Sequence, residues 1–289
     1  MVTALRYRAP APVLFVIGAV SMYAGAALAV GLFTVLAPAA VAVLRMVGAA
    51  VVLLAWRRPG REAWRGGRLL RAAAFGLATA GMNIAFYEAI ARLPLGTAVA
   101  IEFCGPVAVA AVASRRPRDI AAVVLATIGV ALIADVRWSG SPSGVLWALT
   151  AAALWAAYIV LGKRVAGAGN GLDDMAVGFA VAAVVLTPVL MLGGVAGLAA
   201  LADPLVLLLA VGVGVLSSVV PYVLDQIVLR RVGQARFAVL LALLPATATV
   251  VGLVALVQVP GPIEAAGIAA IIVAVALRSR DGDAAEPLG

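Results

Sequence analysis

Apolar residues run through this chain in long blocks, without alternation and with few polar interruptions. Ten blocks can be read, at roughly 12–35, 38–56, 69–90, 95–113, 119–135, 144–162, 175–195, 204–224, 236–257 and 262–277. A helix rises about 1.5 Å per residue, so about 20 apolar residues cross the roughly 30 Å hydrocarbon core of a bilayer. The blocks therefore predict an all-α membrane protein with ten transmembrane helices. A β-barrel would need segments of about ten residues that alternate in polarity, and these do not. The connections are too short to hold a soluble domain. The first block follows Arg6 and Arg8, as the core of a cleaved signal peptide would. It carries Phe15 and Tyr23 and stays apolar well beyond such a core, so a retained helix is expected.

Composition agrees: 65% of residues are hydrophobic and 12% charged, with a mean hydropathy of +1.16. That excludes a soluble globular domain. The net charge of +8 is mostly arginine, and its placement gives a topology. With the N-terminus inside, 18 of the 21 basic residues fall on inside segments, among them Arg57, Arg58, Arg61, Arg65 and Arg68. Outside loops hold Arg92 and Arg137, and Arg45 lies within a span. The bias predicts cytoplasmic termini. The arginines thus face anionic membrane lipid and not a nucleic acid, for no aromatic-interleaved basic patch accompanies them. One cysteine, Cys104, leaves no intrachain disulfide or thiolate metal cluster. No metal or cofactor is expected. With no histidine in the chain, any proton coupling must use carboxylates.

The two halves resemble each other weakly. At an offset of 132, Val13-Leu-Phe15 meets Val145-Leu-Trp147, and Tyr23 meets Trp155. At an offset of 139, Thr79 meets Ser218, Asn83 meets Tyr222, Arg92 meets Arg231 and Pro106 meets Pro245. These matches relate a first five-helix repeat (1–139) to a second (140–289) that ends in a short cytoplasmic tail. Five spans is an odd number, so the second copy enters the membrane inverted. Inverted repeats are characteristic of alternating-access carriers, whose substrate site lies near midplane between the halves.

Glu102 is the leading candidate for that site. It is the lone carboxylate near the middle of the fourth block, and a charge at that depth costs roughly 2.5–3.5 kcal/mol on insertion scales. Four residues on, Pro106 supplies no N–H, which frees the carbonyl of Glu102 itself. Such polar backbone survives in a membrane where it lines a cavity or packs on protein. The alternative is a protonated structural acid between helices. Arg45 sits at a similar depth in the second block, where it can pair with Glu102, hold a substrate carboxylate, or do neither. Asn83 and Tyr87, spaced i,i+4, share a helix face suited to an ammonium or hydroxyl, or to bonds between helices. Glu88 lies near the outer end of its block, as a solvated interfacial acid would. Tyr23, Trp155 and Tyr158 form a cavity wall or a lipid-facing aromatic belt. Ser217, Pro221, Tyr222 and Asp225 repeat the polar-plus-proline theme, because Pro221 frees the carbonyl of Ser217. Asp225 falls near the cytoplasmic edge, in reach of Arg230. Pro245, Thr247 and Thr249 are the ninth-block counterpart. A membrane enzyme finds no support: HExxH, GxSxG and any histidine base are missing.

Several of these residues also carry a resemblance. Pro94-Leu-Gly96, Glu102-Phe-Cys-Gly-Pro106 and Ser114-Arg-Arg-Pro117, within 83–119, closely resemble the threonine/homoserine exporter (RhtA-type) branch of the EamA group, in the drug/metabolite transporter superfamily. Leu216-Ser-Ser-Val-Val-Pro-Tyr-Val-Leu-Asp225 matches more loosely, as do Trp155-Ala-Ala-Tyr158 and Gly162-Lys163. The resemblance implies ten helices in two inverted five-helix repeats, residence in a bacterial inner membrane, and export of small amino acids against protons. Export of another metabolite or a drug is the alternative within the superfamily. One departure stands out. Related exporters often carry a glutamate before the ninth-span proline, where this chain reads Leu243-Leu-Pro245.

Overall fold

The computed structural model describes residues 10–113, 117–138, 141–165, 171–193, 199–241 and 243–279. Arg6, Arg8, Arg280 and the Ser114–Arg116 part of the resemblance lie outside them. Every regular element among the described residues is helical. In the first half these are α1 (Ala11–Leu32), α2 (Pro38–Arg57), α3 (Gly66–Ile90), α4 (Leu95–Glu102), α5 (Cys104–Ala113) and α6 (Pro117–Trp138). In the second they are α7 (Pro142–Val165), α8 (Gly171–Val185), α9 (Pro204–Gly214), α10 (Val220–Leu241), α11 (Leu243–Leu256) and α12 (Pro262–Ser279).

Five stretches are each long and apolar enough to cross a membrane: α1, α2, α3, Pro142–Ile159 of α7, and Pro204–Asp225 across α9 into α10. The other apolar helices, including Ile120–Ile133, Leu243–Leu256 and Pro262–Leu277, are shorter. Large apolar side chains cover the outer surface; Val184, Leu208 and Val254 are each about 70% exposed. A lipid solvent accommodates such a surface and water does not.

Proline and glycine account for most of the punctuation. Pro10 opens α1, Pro38 α2, and Pro204 α9, where Asp203 also accepts a bond from the Leu205 amide at 2.8 Å. The amide of Ala39, in the first turn of α2, is capped from another helix: Glu88 Oε1 accepts it at 3.2 Å. The fourth predicted block is broken in two at Phe103, between α4 and α5. The eighth block departs differently from expectation. A π-helical turn at Val215–Val219 joins α9 to α10, and the helix then runs on to Leu241 through the predicted loop. A π bulge lets the ladder absorb the missing Pro221 N–H without ending.

Helix pairs approach closely where both partners are small, the usual driver of association in lipid. A Cβ on Gly76 would fall far inside contact distance of the Gly178 carbonyl oxygen, which locks α3 to α8. Gly48 and Gly214 meet the backbones of α9 and α2 in the same way. Gly129 of α6 and Gly267 of α12 each abut the other's carbonyl oxygen. The packing partners of the two halves correspond: α3 packs on α7 and α8, while α9 packs on α1 and α2 and α10 on α1. Likewise α4 packs on α7, and α11 on α1, while α2·α8, α4·α11 and α6·α12 pair directly.

Candidate functional site

Where these helices converge they leave a cavity of about 210 Å³, lined mostly by apolar side chains with a few polar ones among them. Glu102, the last residue of α4, contributes its carboxylate. The helix turns at Phe103, whose amide bonds Val99 O, and α5 restarts at Cys104. This break follows from Pro106, which cannot donate to the Glu102 carbonyl. Glu102 is 8% exposed, and its carboxylate makes no hydrogen bond or ion pair among the described residues. Its small exposed fraction opens on the cavity. Buried carboxylates are ordinarily paired, so an unpaired one is unusual.

Arg45 also lines the cavity, but it is not ion-paired with Glu102. Its Nε donates to Ser218 Oγ at 2.9 Å, and its Nη2 to the Ser217 carbonyl at 2.7 Å. That carbonyl is the one Pro221 leaves free. Of the alternatives open to Arg45, a direct pair with Glu102 is absent; the guanidinium bonds instead to the π turn, which offers an acceptor requiring no carboxylate. The guanidinium still acts on Glu102 through space, and it lies over the Tyr87 ring, 5.7 Å from the centroid. The turn itself is tied to α1: Ser217 Oγ donates to Met22 O at 3.0 Å, and Ser21 Oγ to Leu216 O at 2.9 Å. Gly25 permits this approach, since a Cβ there would collide with Ser217 Oγ.

The other candidates divide. Asn83, Tyr23, Trp155 and Pro221 line the cavity. Asn83 reaches Met46 Sδ at 3.6 Å, and Trp155 packs edge-on against Phe103 at 4.8 Å. Tyr87, one turn beyond Asn83, is fully buried behind the wall, and its hydroxyl has no hydrogen-bond partner among the described residues. Tyr158 packs on Phe75 at 5.0 Å and is not part of the lining, and Tyr222 lies against the apolar cluster around Met46 and Phe179. Ser217 serves through its backbone and its bond to α1. Pro106 and Pro245 shape their helices without touching the cavity. Thr247 and Thr249 bond the carbonyls of Leu243 and Pro245, each at 2.8 Å, as threonines in membrane helices commonly do.

Three acids differ from what the sequence predicts. Asp225 is not confined to a cytoplasmic rim; it lines the cavity, one turn beyond Pro221 on the same face of α10. That i,i+4 spacing is the signal that could have placed it. Glu88 is not merely solvated: besides capping α2 it pairs with Arg92 at 2.5 Å. Glu264, 1% exposed in the first turn of α12, accepts a hydrogen bond from the Thr97 hydroxyl of α4. Beside it the Leu95 amide donates to Gln258 Oε1 at 2.8 Å, so two bonds join α4 to the second half at that end. Nothing in local patterning points to Glu264, because its partner is 167 residues away.

Comparison with known proteins identifies the family. The chain is 38% identical over 257 residues to the threonine/homoserine exporter RhtA of Salmonella typhimurium, covering 88% of this chain and 86% of that one. The threonine/homoserine exporter RhtA of Escherichia coli K12 is 36% identical over 265 residues, covering 91% and 88%. Residues 142–280 match the EamA-like transporter family. The chain belongs to the RhtA-type branch of the EamA family. A crystal structure with 18% identity superposes with a TM-score of 0.60 over 92% of this chain and 96% of that one, so the two share a fold. This EamA protein is accordingly a membrane transporter and not an enzyme.

Proposed function

We propose that this EamA transporter exports small amino acids of the threonine and homoserine type from a bacterial cell, across its inner membrane, by proton antiport and alternating access. The observation that carries the reading is the unpartnered Glu102 carboxylate at the edge of a small central cavity. An amino-acid ammonium supplies the charge it lacks, and Arg45 across the cavity offers N–H groups to the substrate carboxylate. About 210 Å³ falls below the roughly 300–1,000 Å³ of drug-sized pockets, which favours a small solute. The names of the two relatives point the same way.

Alternating access rests on the halves being inverted repeats that rock about this cavity. The corresponding helix pairs, and the reciprocal approach of Gly129 and Gly267, support a pseudo-two-fold relation between them. The arginine distribution supports cytoplasmic termini. With that orientation the Thr97–Glu264 and Leu95–Gln258 bonds close the outer side, and the cavity faces the cytoplasm.

Counterflow in proteoliposomes tests the substrate. Vesicles loaded with threonine or homoserine accumulate the labelled amino acid, and vesicles loaded with a drug panel do not. Exchange of drugs alone would return the chain to the multidrug side of its superfamily. Everted vesicles test the coupling: a protonophore abolishes concentrative uptake, whereas undiminished accumulation would leave facilitated efflux.

A further inference from the structure

Charge balance in the cavity carries a division of labour. Its lining holds two carboxylates, Glu102 and Asp225, and one guanidinium, Arg45. The chain has no histidine, and among the described residues the cavity is lined by no lysine. In the empty cavity Arg45 balances one acid, so with both ionised one negative charge stays uncompensated inside the membrane, an expensive arrangement; a substrate ammonium between the two acids gives that charge a partner. The two acids are not equivalent. Arg45 acts on Glu102 through space, whereas no ion pair among the described residues engages Asp225. From α1 Asp225 is faced by Tyr23, and on its own helix by Tyr222, which lies near Tyr158. Glu102 of α4 and Arg45 of α2 lie across the cavity. Helix α11 has no titratable side chain, and the Glu264 of α12 is tied to Thr97. Asp225 is thus the charge that the empty cavity leaves unbalanced.

We propose that Asp225 is the proton-exchange carboxylate of this carrier, while Glu102 and Arg45 hold the zwitterion. This rests on the export reading above. In the cytoplasm-facing state Asp225 releases its proton as the substrate ammonium settles between the two carboxylates. In the outward-facing state a proton taken up on the Asp225 carboxylate removes one of the two attractions on the ammonium, and the substrate leaves. One proton enters for each amino acid exported, and no other species is consumed. Tyr23 and Trp155 wall this site.

The test compares two assays on purified, reconstituted variants. Asp225→Asn keeps the shape and holds the site in its neutral form. Counterflow of labelled threonine should persist in it with half-saturation raised about tenfold, as for loss of one charge-assisted hydrogen bond. That half-saturation should no longer change with pH, and an imposed pH gradient should no longer drive accumulation. Asp225→Ser, smaller and uncharged, gives the same split by a different packing route if the asparagine variant fails to fold. Gradient-driven accumulation at the wild-type level in either variant overturns the proposal. So does loss of counterflow in a monodisperse, folded variant, which would make the Asp225 charge indispensable for holding the substrate at all. Absence of threonine and homoserine counterflow in the wild type would instead strike the export reading itself, a result separable from both.

Discussion

Arg45 donates its Nη2 to the carbonyl of Ser217 at 2.7 Å, and that carbonyl is free because Pro221, four residues on, has no N–H to bond it. One proline thus creates an acceptor in one half of the molecule, and one arginine from the other half fills it. The bond holds the guanidinium at the cavity wall and keeps it from collapsing onto Glu102. A carboxylate and a guanidinium therefore stay apart inside a membrane protein, each able to meet an oppositely charged group of a substrate.

Arg45→Lys should separate these two duties. A lysine keeps the charge but cannot reach Ser218 Oγ and the Ser217 carbonyl together in the planar fork that arginine supplies. Counterflow should fall at least about tenfold, with thermal stability in detergent lowered by the loss of a charged hydrogen bond, about 1.5–3 kcal/mol. Wild-type exchange by the lysine variant would mean that the two bonds are incidental.

Gly76→Ala tests the packing between the halves. The new Cβ would run into the Gly178 carbonyl oxygen, a backbone atom that cannot swing away. Overpacking of this kind costs about 1–3 kcal/mol, so the variant should melt earlier and yield less folded protein. Gly31→Ala is the matched control: beyond its own stretch of helix, no heavy atom lies within 4 Å of its would-be Cβ. It should be neutral or stabilising by up to about 1 kcal/mol, the helical preference of alanine over glycine. Equal melting temperatures for the two variants would contradict the close α3–α8 approach.

Glu264 should prove structural in a way that depends on its hydrogen bond. Glu264→Gln keeps an oxygen for the Thr97 hydroxyl and should fold normally. Glu264→Ala leaves that buried hydroxyl without this acceptor, at a cost of about 1–3 kcal/mol. Thermal unfolding of the purified variants in detergent reads the difference. A Glu264→Ala protein as stable as the glutamine variant would remove the bond from the account.

The all-helical, membrane character is legible in the sequence because apolar blocks of membrane length suit a bilayer and little else, and Pro106 and Pro221 each imply a freed carbonyl at a definite residue. Glu102, Asn83, Tyr23 and Trp155 can be placed on one cavity, since depth along a helix can be counted. Which helix supplies the partner of a buried charge is not legible. Arg45 and Glu102 have matching depths, yet the nearer acceptor comes from the proline of α10, a fact of lateral packing that depth does not encode. Asp225 reads as rim for a related reason. By composition the eighth block ends at residue 224, whereas the π turn carries the helix on to Leu241 and turns Asp225 inward. The Thr97–Glu264 bond is out of reach altogether, as its partners lie 167 residues apart.

The central claim, that the cavity at Glu102 is where a small amino acid is held during export, meets its most direct test in one substitution. Glu102→Gln keeps the size of the side chain and removes its charge. Wild-type protein and the variant are reconstituted at equal, verified amounts, and counterflow of labelled threonine or homoserine is measured in both. The account predicts rapid exchange by the wild type and exchange at the level of empty liposomes by a Glu102→Gln protein that elutes as a folded species. Near-normal exchange by that variant would contradict it, and would make Glu102 a structural acid between helices.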